Sequence, residues 1–132
     1  MKVYLAAPYS MKDAIKERAR ELLECGITVT STWLNEPHAP NTQMGELTHK
    51  QHQKYALQDI DDVVAADMLV FQTDPTKTIV RGGRHVEFGI AVAFHKPIWV
   101  VGEEYENIFH HLNLVTHFKS WEDLKTALRA LV

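Results

Sequence analysis

Five short apolar runs, at residues 3–7, 27–32, 67–71, 98–101 and 116–118, recur along this chain, and most are separated by stretches of helical periodicity. A strand followed by a helix before the next strand is a βαβ unit, and such units build parallel sheets with helices on both faces. Right-handed crossovers leave few topologies open. The pattern predicts an α/β fold, a doubly wound five-stranded parallel sheet of flavodoxin- or Rossmann-like type with strand order 2-1-3-4-5. A ligand crevice is then expected beyond the carboxyl ends of the strands, near strands 1 and 3. The loops at 7–10, 72–83 and 102–107 would surround it.

The helical stretches carry their own signals. Ser10-Met11-Lys12-Asp13 has the form of a capping box, and Met11, Ala14, Ile15, Ala19, Leu22 and Leu23 make the stripe of a first helix that Gly26 stops. Residues 46–66 read as a second helix, with Tyr55, Ala56, Ile60, Val63 and Val64 along one side. The pair Gly82-Gly83 leads into a third, with Val86, Ile90, Ala91 and Phe94 on one face. A short helix near 107–112 and a terminal one from Ser120 to about 131, again with a capping signature, complete the pattern. Between 35 and 44, Asn35, Pro37, Pro40 and Asn41 mark a loop long enough to serve as a lid or ligand wall.

Composition narrows the function. A formal net charge of −3 with no basic block argues against binding a nucleic acid polymer. Cys25 is the single cysteine, so an internal disulfide is excluded, and no apolar run approaches membrane-spanning length. These features predict one soluble cytoplasmic domain over residues 1–132, with no membrane contact.

Two acids break the apolar helix faces. Asp59 lies on the apolar side of the second helix, and Glu87 shares a face with Gly83, Ile90 and Phe94. A carboxylate against a core must be paired, neutralised or used, because burying it alone is costly. Both helices flank the strand at 67–71, so the two acids can converge on one crevice. Paired carboxylates suit cleavage at an anomeric carbon, where one attacks and the other handles the leaving group's proton. Glu87, placed in the first turn of its helix where N–H groups favour an anion, reads as the nucleophile. Asp59, deeper in its helix, reads as the proton donor, and Tyr4 in the first strand is placed to hold Glu87. Trp33, where a strand gives way to the long loop, can stack on a base or simply rim the core. The glycines fit neither a dinucleotide fingerprint nor a P-loop. Eight histidines supply no paired ligand motif, so no metal and no organic cofactor are expected.

The residues Lys2-Val3-Tyr4-Leu5-Ala6-Ala7-Pro8, Asp59 eight positions before Asp67, the Gly-x-x-x-Glu-x-Gly run at 83–89 and Lys96-Pro97-Ile98 together resemble the nucleoside 2-deoxyribosyltransferase family. The resemblance covers about residues 2–118, and the superfamily includes 2′-deoxynucleoside 5′-monophosphate N-hydrolases. It implies a covalent glycosyl-enzyme on Glu87, departure of the base assisted by Asp59, and a nucleophile oriented by Tyr4. It also implies a homo-oligomer with shared active sites, to which Asn107 of a neighbouring subunit would contribute. One position departs from the transferases: Arg81 stands where they carry an aspartate. Arg81 and Arg84 beside Gly82 and Gly83, with Ser10 at another helix start, would cradle a 5′-phosphate. Pro8 and Tyr9 complete the expected substrate contacts. Transfer of the sugar to a base, hydrolysis by water, and a non-catalytic nucleotide-sensing module remain the alternatives at this stage.

Overall fold

The computed structural model describes residues 1–36, 47–77 and 82–132. Its five-stranded sheet is parallel throughout, in the order β2-β1-β3-β4-β5, as the alternation of apolar runs and helical stretches predicts. The strands are β1 (Lys2–Ala6), β2 (Thr28–Val29), β3 (Met68–Gln72), β4 (Ile98–Val101) and β5 (Val115–Phe118). The α-helices are α1 (Lys12–Glu24), α2 (His49–Ala65), α3 (Gly83–Ala93) and α4 (Trp121–Arg129).

The centre of the sheet is covered on both sides. Side chains along a strand alternate between faces, and β3 shows both destinations. Phe71 meets Phe88 of α3 edge-on, whereas the next residue, Gln72, accepts a hydrogen bond from Arg18 of α1. α2 and α3 pack together on the first face. On the other, α1 and α4 are tied through Glu21, which accepts from Trp121 Nε1 at 2.6 Å and from Lys125 Nζ at 3.4 Å. Every residue of β3 is buried, as continuous apolar runs in parallel sheets require.

Several local expectations are corrected. The second strand is only Thr28–Val29, because Ser31 turns inward. Its Oγ takes the N–H of Leu5 at 2.7 Å, replacing a ladder bond, and Thr32–Asn35 winds into a 3₁₀ turn. Ser10 caps nothing: it lies inside the 3₁₀ turn Tyr9–Met11, and α1 begins two residues later without a side-chain cap. The full capping box is at Thr48 and Gln51, opening α2. The buried face of α3 is Arg84, Phe88 and Ala91, so Val86 and Phe94, read above as core, are 63% and 57% exposed. Leu23 of α1 and Ile60 and Val64 of α2 are likewise exposed.

Candidate active site

β1 and the two helices on the first face bring Tyr4, Asp59 and Glu87 together. Tyr4 has no exposed surface, and its hydroxyl donates a very short hydrogen bond to Glu87 Oε2. Asp59 lies close enough to act electrostatically on both Glu87 and Tyr4. Burial pushes the Glu87 carboxyl up to about 8, against the pull of the Tyr4 hydroxyl, with Asp59 adding repulsion. Burial likewise pushes Asp59 up to about 7, with Glu36 and Asp62 adding to it. Asp59 Oδ1 is buried and has no hydrogen-bond partner among the described residues.

Glu87 is not a first-turn residue. α3 starts at Gly83 behind the left-handed Gly82 (φ 84°), and no acid falls in its first turn. The free N–H groups of the helix start therefore do not face Glu87 as the sequence suggested. Its charge depends on Tyr4 instead, because a hydrogen bond to the ionised form is the remaining influence that favours it.

Around this group stand residues that spacing alone did not single out. Glu36 accepts from Tyr9 Oη at 3.3 Å, and its carboxyl is raised by burial. Buried Lys12 donates to the Glu36 backbone oxygen at 2.5 Å. Asp62 accepts from Thr32 N at 3.0 Å and ties α2 to the turn after β2. Its three-residue spacing from Asp59 was the available signal, since such pairs share a helix face.

The expected substrate contacts fall in different places. Pro8 is buried and Tyr9 partly so, at the carboxyl end of β1, and Ser10 is exposed beside them. Trp33 is 5% exposed; its Nε1 donates to Leu5 O at 2.9 Å and its ring lies 5.6 Å from that of Tyr9. Gly82 and Gly83 form the turn into α3. Arg84 is not free to cradle a phosphate. It is buried, its Nη2 sits 2.7 and 2.9 Å from the two oxygens of Glu106, and its guanidinium lies over the Phe71 ring. Arg81 lies outside the described residues, as does most of the long loop after Asn35. Asn107 caps the 3₁₀ turn Ile108–His111, its Oδ1 accepting from Phe109 N at 3.0 Å. Among the described residues, no group of three or more His, Cys, Asp or Glu is arranged to hold a metal ion. No helix among them is long and apolar enough to cross a membrane.

The loops also divide differently from the single crevice expected. Those following β3 and β4 line a cleft of about 830 Å³ that includes neither Tyr4, Asp59 nor Glu87. The loop after β1 instead belongs with the acids, through Tyr9 and Glu36.

A doubly wound sheet carrying coupled acids near its strand ends is the architecture of an α/β enzyme acting on a small molecule. The chain belongs to the nucleoside 2-deoxyribosyltransferase family, whose profile matches residues 3–122, and it is an enzyme of the glycosyl-transferring, N-glycosidic-bond-cleaving kind. The fold is shared with the 2-deoxyribosyltransferase of the psychrotolerant bacterium Bacillus psychrosaccharolyticus, at TM-score 0.73 and 21% identity over 95% of this chain and 90% of that one. It is shared too with the CMP N-glycosidase of Clostridium botulinum, at TM-score 0.60 and 22% identity over 98% and 99% of the two chains. No curated protein matches the chain by sequence.

Proposed function

We propose that this chain, as one domain, cleaves the N-glycosidic bond of a 2′-deoxynucleoside or its 5′-monophosphate through a glycosyl ester on Glu87. The observation that carries the reading is the hydrogen bond from Tyr4 to Glu87 beside Asp59, whose buried Oδ1 has no hydrogen-bond partner among the described residues. A Glu87 oxygen bonds to C1′ as the C1′–N bond breaks, and the bonding pair leaves with the base. Asp59 delivers its proton to the departing base. Water or a second base then attacks C1′, gives its proton to Asp59, and frees the Glu87 carboxylate.

The reactive form needs one proton on the pair, held by Asp59. Strongly coupled acids titrate as a unit. The Tyr4 hydroxyl favours charge on Glu87, while Glu36 and Asp62 disfavour charge on Asp59. Neither step requires a metal or an organic cofactor.

The active enzyme is a homo-oligomer with shared sites. Leu57 of α2, Val86 and Phe94 of α3, and Ile108 and Phe109 beside Asn107 are all more than half exposed, an apolar surface on the elements that carry the acids. A second copy seated there would bring its Asn107 toward them.

The direct test is incubation with each deoxynucleoside and deoxynucleotide, followed by detection of free base. Adding a second base separates transfer from hydrolysis. Base release by the wild type and none by Glu87→Ala is expected; unchanged turnover in that variant would end the proposal. Ligand binding without base release from any substrate would favour a nucleotide-sensing module.

A further inference from the structure

We propose that the cleft formed by the loops after β3 and β4 is a second ligand site, which takes the phosphate of a small phosphate monoester on Arg18 and Lys119. This inference is independent of the reaction proposed above, since Tyr4, Asp59 and Glu87 do not line the cleft.

Arg18 is held in one pose by a chain of contacts. Buried Gln72 donates through Nε2 to Thr73 O at 2.7 Å, which turns its Oε1 outward to accept from Arg18 Nη1 at 2.6 Å. The guanidinium also lies 5.0 Å from the centre of the Trp121 ring, and Trp121 is itself pinned by its hydrogen bond to Glu21. Among the described residues, neither Nε nor Nη2 of Arg18 has a hydrogen-bond partner, and no carboxylate is ion-paired with it. Burial opposes its charge, and only Glu21 offsets this electrostatically. A preorganised guanidinium with an open edge is the geometry that binds a planar or tetrahedral oxyanion in a bidentate manner.

The other charges of the cleft point the same way. Glu104 pairs with Lys77, Glu106 pairs with Arg84, and Asp74 accepts from Thr76. Lys119 is exposed with no partner among the described residues, so Arg18 and Lys119 are the two lining cations without an ion pair, facing the carboxylates of Glu103 and Asp74. Ser120 and Trp121, at the start of α4, line the same wall. About 830 Å³ is far more than a bare ion needs, so the anion is one group of a larger molecule. The carboxylates around the rest of the wall suit hydroxyl donors, as on a sugar.

The test is calorimetric titration of the whole protein with ribose 5-phosphate, inorganic phosphate and ribose. Saturable binding is expected for both phosphates and not for ribose, and Glu87→Gln should leave it unchanged. Arg18→Gln should weaken ribose 5-phosphate roughly tenfold or more, and Arg18→Lys should restore part of the loss. Lys119→Gln, at an exposed position that leaves the fold intact, should weaken it severalfold. Absence of saturable binding at millimolar concentrations would overturn the proposal. So would unchanged affinity in a folded Arg18→Gln protein, or binding lost in Glu87→Gln instead, which would put the phosphate in the crevice of the acids.

Discussion

Tyr4, Glu87 and Asp59 draw their properties from what surrounds them. Burial raises both acids, and the phenol is the described hydrogen bond that keeps Glu87 available as an anion. Tyr4→Phe should therefore lower kcat/KM for base release about ten- to a hundredfold, the value of a hydrogen bond to a charged group. Because the reactive form carries one proton on the pair, wild-type turnover should fall above about pH 8, where the last proton leaves, and should climb on an acid limb near pH 7, where the pair loses its first. In Tyr4→Phe the acid limb should move to higher pH, whereas a merely structural tyrosine would leave it in place. Arg84 makes the opposite point. Its partner Glu106 lies 22 residues on, so no local pattern distinguishes this buried pair from a solvent-facing arginine. Glu106→Ala should destabilise the protein by about 3–5 kcal/mol in urea titration, because it strands a buried guanidinium.

The elements decide where those side chains stand. α2 carries Asp59 and is started by the reciprocal Thr48–Gln51 box, so Thr48→Ala should cost about 1 kcal/mol by denaturant unfolding. At the end of β4, Gly102 adopts φ 142°, and a Cβ there would stand 1.8 Å from Thr73 Oγ1. Gly102→Ala should cost about 1–3 kcal/mol, through forced displacement of the β3 loop, in the same measurement. Strand and helix identities were readable because short unbroken apolar runs differ from the 3.6-residue spacing of apolar residues along a helix. Helix starts were less so. Ser10-x-x-Asp13 and Thr48-x-x-Gln51 look equivalent in one dimension, but the first is absorbed by the 3₁₀ turn that brings β1 into α1.

At the scale of the molecule, the raised acids link stability to pH. An unfolded carboxyl releases its proton near pH 4, whereas Asp59 and Glu87 in the folded state hold theirs to about 7 and 8. Between these limits the folded protein binds more protons, so stability falls as pH rises. His110, lowered to about 4 by burial, and His85 and His117, whose burial also works against their charge, act in the opposite sense below about 6.5. The window from about 6.5 to 8 thus isolates the acids: Tm should drop across it, and Glu87→Gln should flatten the drop. The exposed apolar surface of α2, α3 and Ile108–Phe109 predicts self-association. Ile108→Asp should shift the sedimentation profile toward monomer and lower base release with it.

The sequence by itself determined the order of elements, the parallel sheet, and the two acids that no helix would place on an apolar face without reason. Those are consequences of local periodicity and of the cost of burying charge, both of which act over a few residues. Only the tertiary structure decided that Glu87 leans on Tyr4 rather than on a helix terminus, that Arg84 serves Glu106, and that Gln72 and Trp121 aim Arg18 into a second cleft. Each depends on groups between 22 and 103 positions apart, brought together by sheet packing that no short window of sequence encodes.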